Sequence, residues 1–143
     1  MSYSAGRVSQ AYASVGTHSQ VEAASPHRLI QLLMDGALDR LALAQGEIQR
    51  GEISLKANSI SRTMSIIDGL RLSLDHSVDS SLSENLEGLY DYMNRRLLLA
   101  NVKNDTEALD EVSGLLRELK EAWDAIPDPS RESTAYSAGE AVV

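Results

Sequence analysis

Apolar residues recur along this chain at helical spacing, and no segment alternates as a strand does. Leu29, Leu33 and Ala37 form one row; Ile30, Met34, Leu38 and Leu41 form a second beside it. Ser25 can accept a bond from a free N–H of the first turn, and Pro26 stands where no N–H is needed, so the pair reads as N-cap and first helical residue. The spacing predicts a helix from Pro26 to Arg50, stopped by Gly51. Its apolar arc is too wide for a single buried stripe. Such a helix either lies deep in a core or serves two surfaces.

Three more helices follow from the same pattern. The second runs from Ser54 to His76 on Leu55, Ile60, Met64, Ile67, Leu70 and Leu74, with Ile66 and Leu72 widening the stripe. Ser81 and Glu84 stand at capping-box spacing, so the third starts near Leu82. It continues on Leu86, Leu89, Tyr90, Met93, Leu97 and Ala100 to the polar run Asn101–Asp105. Asn104 or Asp105 caps the fourth, where Glu107 favours the positive helix end. Leu109, Val112, Leu115, Leu116, Leu119, Trp123 and Ile126 carry it to Pro127 and Pro129. Trp123 is assigned to the core.

Four long helices joined by short loops make antiparallel neighbours, hence an all-α, up-down-up-down four-helix bundle over residues 25–126. Residues 1–24 form a mobile segment in which Val8, Ala11, Tyr12 and Val15 fit a short amphipathic helix over 5–15. Residues 127–143 are rich in Pro, Ser and Ala without periodicity and read as a disordered tail.

The 143 residues suffice for one domain with a real core. There is no Phe, so the core must be aliphatic, which suits helix-on-helix packing. Net charge is −8, and the nearest thing to a basic cluster is Arg95-Arg96, so phosphate recognition by nucleic-acid binding has no footing. No cysteine is present, and hence no disulfide or thiolate metal site. The polar N-terminal stretch shows no signal-peptide core, and no apolar run is long enough to span a membrane; the composition is compatible with the cytoplasm without proving it.

The residues give catalysis little to work with. His18, His27 and His76 have no Glu three residues ahead and form no i, i+4 pair, so di-iron and zinc helix motifs are absent. His76, beside Asp75 near the expected end of the second helix, reads as a favourable charge at a helix C-terminus. It is terminal, which weighs against a phosphotransfer histidine. No phosphate loop or nucleophile elbow is present. No enzyme and no cofactor are expected.

What stands out is apolar surplus. A four-helix core uses about three positions in seven per helix. The first helix exceeds this, Ile66 stands beside Ile67, and Leu97-Leu98-Leu99 is unbroken. The surplus fits a thick core, a homodimer seam, or a groove for helical segments of a partner.

Several runs resemble the flagellin-export chaperones of bacterial flagella. They are Tyr12; Val21 with Ala24-Ser25-Pro26; Leu29-Ile30-Gln31-Leu32-Leu33-Met34-Asp35-Gly36-Ala37; Asn85-Leu86-Glu87-Gly88-Leu89-Tyr90-Asp91-Tyr92-Met93; and Leu97 to Asp105 with Ala122-Trp123. The family often has Tyr where this chain has Met34, which keeps the bulk and loses a hydroxyl. The resemblance implies an antiparallel helical bundle in the cytoplasm. It implies that the bundle holds the disordered C-terminal segment of flagellin, prevents premature polymerisation and keeps the client fit for the export apparatus.

Carried over by position, the expected partner-binding residues are Tyr12, Ile30, Leu33, Met34, Ile67, Leu70, Tyr90, Leu97 and Asn101. The segment around Tyr12 is expected to fill the groove when it is empty; Asn101 is either a pin for partner backbone or an ordinary C-cap. The main alternative is a structural or adaptor bundle that homodimerises and has no client. A regulatory bundle that binds another flagellar or transcriptional factor is a more distant one.

Overall fold

The structure is a computed structural model in which residues 24–129 are described. Four helices account for nearly all of them: α1 (Pro26–Gln49), α2 (Ile53–Leu72), α3 (Ser80–Lys103) and α4 (Thr106–Asp124), with no strand among the described residues.

Local chemistry sets the ends. Ser25 Oγ accepts from the Arg28 N–H at 3.2 Å, and Pro26 opens α1 as expected. Gly51 takes φ of 72°, the left-handed turn that frees the chain to leave α1, while the Glu52 N–H reaches back to the Glu47 carbonyl at 2.8 Å. At the tight α3–α4 corner the two candidate caps divide the work. Asn104 terminates α3 in the left-handed conformation, and the Asp105 carboxylate accepts from the N–H groups of Glu107 and Ala108 at 3.0 and 3.3 Å.

Some expected ends shift. The second helix stops at Leu72 rather than His76: Ser73 Oγ turns back to the Leu70 carbonyl, and Asp75 accepts from the Ser77 N–H in a turn of its own. The third starts at Ser80 on an Asp79 cap, because Asp79 accepts from the Leu82 N–H at 3.0 Å and displaces the expected Ser81 box. The fourth ends at Asp124, two residues before Ile126. The expected helix over 5–15, and the tail beyond residue 129, lie outside the described residues.

Contacts between helices show the direction of each. Ser59 donates to Glu47 at 2.6 Å, Lys56 Nζ to the Asn101 carbonyl at 2.7 Å, Tyr92 to Glu111 at 2.8 Å, and Trp123 Nε1 to the His27 carbonyl at 3.0 Å. The first, second and fourth join the start of one helix to the end of a neighbour, and the tight Asn104–Asp105 corner turns α4 back along α3, so all four neighbouring pairs are antiparallel and α4 closes the ring against α1. The α1–α2 seam is the most extensive. Gly36 on α1 and Ser59, Thr63 and Gly69 on α2 are small and buried, so the two backbones can come close.

The core is one cluster along the bundle axis, with Leu33, Met34, Ala37 and Leu41 from α1 and Ile60, Ile66, Ile67 and Leu70 from α2. Tyr90, Met93 and Leu97 from α3 and Leu109, Val112 and Leu116 from α4 complete it. Burying each large aliphatic side chain contributes about 1.5–3 kcal/mol. The polar groups sunk beside it are matched: Glu47 by Ser59, Thr63 by the Ser59 carbonyl, and Lys56 by the Asn101 carbonyl. Burial pushes the Tyr90 phenol up to about 12, so it stays neutral.

Candidate functional site: an apolar cleft at the bundle end

The chain enters the bundle at Ser25 and leaves it after Asp124, and the antiparallel packing of α1 on α4 brings these points together. They are tied at the surface, where Ser25 Oγ donates to Asp128 at 2.6 Å and Gln31 donates to Asp124 at 2.7 Å. Between them the helices leave a cavity of about 350 Å³. Its walls are Pro26, Leu29, Ile30, Trp123, Ile126 and Pro129, with Ser73 from the end of α2 and the Asp128 carboxylate at the rim.

The cleft exists because α1 opens with Pro26 and α4 gives way to Pro127 and Pro129. Neither terminal turn has another turn stacked on it, so apolar residues that would be sealed in mid-bundle remain half-open. His27 and Trp123 brace the wall. Their rings stack with centroids 4.7 Å apart and planes 15° from parallel, and the indole N–H is held by the His27 carbonyl. Outside this wall Lys120 reaches Asp124 at 2.8 Å and Asp35 at 3.4 Å. The bond from Lys120, and then the one from Gln31, hold the Asp124 carboxyl below its ordinary range.

Apolar walls with a single rim carboxylate suit one or two apolar side chains of a docking segment. The volume lies at the small end of the roughly 300–1,000 Å³ typical of ligand clefts. Among the described residues no group of three or more His, Cys, Asp or Glu could hold a metal ion. No helix there is long and apolar enough to cross a membrane.

Of the nine residues expected to bind a partner, the structure brings Ile30 to the cleft. Leu33, Met34, Ile67, Leu70, Tyr90 and Leu97 are buried in the core, where a docked segment does not touch them while the bundle keeps this packing. Asn101 is half-buried near the end of α3; it neither caps the helix, which Asn104 does, nor lies at this cleft, and its carbonyl holds Lys56. Tyr12 lies outside the described residues. Trp123, expected in the core, packs against it yet forms a cleft wall. The signal was present in its place in the last turn of a terminal helix, just ahead of two prolines. His76 sits in the α2–α3 loop, 3.5 Å from Glu87, and Arg95 and Arg96 are paired with Asp91 and Glu111.

Residues 8–130 match the family described as Flagellar protein FliS. The chain is 50% identical over 115 residues to flagellar secretion chaperone FliSB of Pseudomonas aeruginosa, covering 80% of this chain and 91% of that one. It is 40% identical over 130 residues to flagellar secretion chaperone FliS of Vibrio cholerae, covering 91% and 96%. It is 45% identical over 118 residues to the Salmonella typhimurium chaperone of that name, covering 82% and 87%. These names describe chaperones, which are not an enzyme class. A bundle that ends in an apolar cleft, matched along nearly its whole folded length, belongs to the FliS family of flagellar secretion chaperones.

Proposed function

We propose that this chain acts in the cytoplasm as the export chaperone of flagellin, holding the disordered C-terminal segment of its client until the export apparatus takes it. The observation that carries this reading is the apolar cleft at residues 26–30 and 123–129. A segment that orders on binding must recover its lost entropy from apolar burial, and a half-open cleft in a rigid bundle offers that surface ready-made. Covering the client's assembly face lowers the concentration of polymerisation-competent subunit by mass action. The name secretion chaperone on three relatives supports the role.

In this reading Ile30 and Trp123 meet the client directly. Leu33 and Met34 lie one turn below Ile30, and Leu70 one turn below Ser73; they hold the floor of the cleft in shape. Ile67, Tyr90 and Leu97 act from deeper still, by keeping the bundle rigid. Asn101 anchors client backbone at the far end of the bundle. The segment carrying Tyr12 precedes Ser25 at the cleft mouth; it occupies the cleft when no client is bound and moves aside when one arrives.

Calorimetric titration with a peptide of the flagellin C-terminus tests the proposal. A 1:1 complex with a strongly negative ΔCp is expected, the mark of apolar burial. No heat and no complex at saturating peptide would overturn it and leave the client-free adaptor bundle as the better reading.

A further inference from the structure

The cleft and the client proposed for it differ in size. A cavity of about 350 Å³ takes one or two side chains, whereas a segment that orders on binding needs apolar contact along its length. One wall must give way. Most of them are fixed. Pro26, Leu29 and Ile30 sit on α1, and Trp123 is held by its stack on His27 and by the His27 carbonyl. Beside them the bond from Gln31 to Asp124, 2.7 Å long, ties α1 to α4.

The remaining wall is the chain beyond α4, residues 125–129, which contributes Ile126, Asp128 and Pro129. Its backbone holds it lightly. The Ile126 N–H reaches the Trp123 carbonyl at 3.1 Å, but Pro127 and Pro129, on either side of Asp128, have no N–H to donate. Ile126 is 49% exposed, so apolar burial does little to pin it. A side-chain bond spans the mouth instead, where Ser25 Oγ donates to Asp128 at 2.6 Å. The same oxygen accepts from the Arg28 N–H, so the cap of α1 and the tie across the cleft meet in one hydroxyl. Water competes for such a bond, and it opens reversibly.

We propose that residues 125–129 are a strap latched across the cleft by the Ser25–Asp128 bond, and that unlatching widens the cleft to admit the client segment. The inference rests on the proposed function for what enters; the latch is a property of the free chain. While the strap is closed the wide cleft is absent, so the apparent affinity for a client scales with the fraction of chains unlatched.

Ser25→Asp separates the two tasks of the hydroxyl. Aspartate caps a helix as well as serine does, but it sets a second carboxylate against Asp128 and opens the latch. Adding Asp128→Lys turns that repulsion into attraction and closes it again. Asp128→Ala opens it without touching the cap of α1. Two readouts apply: acrylamide quenching of Trp123, the single tryptophan, in the free chain, and the association rate of a tryptophan-free flagellin C-terminal peptide. With helicity unchanged, Ser25→Asp and Asp128→Ala should each raise the quenching constant about 1.5-fold or more and the association rate at least about fivefold. The Ser25→Asp effect should shrink in about 1 M salt, and the double variant should return to wild-type values. Wild-type quenching in both single variants overturns the latch, as does a double variant as open as Ser25→Asp. Slower association in the single variants also overturns it, since Asp128 would then hold the client and not the strap. If the peptide binds neither wild type nor variants, the proposed client falls, and the quenching constants alone decide the latch.

Discussion

The middle of the bundle and its α1–α4 end are built from the same residues to opposite effect. Leu33, Met34 and Leu41 are sealed among three neighbouring helices, whereas Leu29 and Ile30, on the same helix one turn earlier, line an open cleft. The side chains do not differ in chemistry; the covering does. In mid-bundle the inward-facing apolar positions are covered by turns of the other helices. At the end, α4 breaks at Pro127 and α2 has already stopped at Leu72, so Ile30 keeps a free flank. One wide apolar arc thus serves stability in its lower part and, in the proposed function, recognition in its first turn.

Leu33→Ala should be the largest single loss, about 2–5 kcal/mol of stability, because the cavity it opens is walled on all sides. Chemical denaturation would show the midpoint fall. A cost below about 1 kcal/mol would place Leu33 on an open face after all, and break the contrast between middle and end. Ile30→Asp should do the reverse. Its helix content by circular dichroism should survive while affinity for the flagellin peptide drops at least tenfold, about 1.4 kcal/mol. Cooperative unfolding of this variant would move Ile30 into the core.

The contrast sharpens at the caps. Asp105→Ala leaves the N–H groups of Glu107 and Ala108 without their acceptor and should cost about 1 kcal/mol, read from the denaturation midpoint. The smallest effect is electrostatic. Lys120 first, and then Gln31, hold the folded-state carboxyl of Asp124 below its ordinary value of 3.8. A depressed carboxyl adds stability that is fully present above the unfolded-state value and is lost as pH falls through the folded-state one. Asp124→Asn should therefore remove a small part of the acid dependence below about pH 4 and leave stability near neutral pH almost unchanged, measured as thermal midpoints against pH.

Much of this fold was legible in the residues because capping is local. Ser25, Pro26, Gly51 and Asp105 announced their roles through side-chain chemistry that acts within one turn. The end of α2 was overrun because Leu74 continues the apolar period, and nothing in periodicity reveals that Ser73 and Asp75 draw the backbone into a turn. The cleft was legible only as a surplus. Helical spacing reports the width of an apolar arc but not how far along the axis a neighbouring helix extends. The family resemblance carried Leu33, Met34, Ile67, Leu70, Tyr90 and Leu97 over with Ile30 by position, and spacing held nothing to separate them, although they lie deeper. Trp123 was missed for the mirror reason: at a core spacing, in the last turn before a proline, a large aromatic is both core neighbour and cleft wall.

Trp123 is also the direct probe of the central claim, since it is the single tryptophan of the chain and forms a wall of the cleft. Its fluorescence would be followed during titration with a tryptophan-free flagellin C-terminal peptide, with calorimetry on the same samples. A client seated in the cleft predicts an emission change that saturates at one peptide per chain, in step with the heat, and that Ile30→Asp abolishes. Saturating heat with Trp123 emission unmoved would contradict it, because the client would then bind this bundle somewhere other than the cleft.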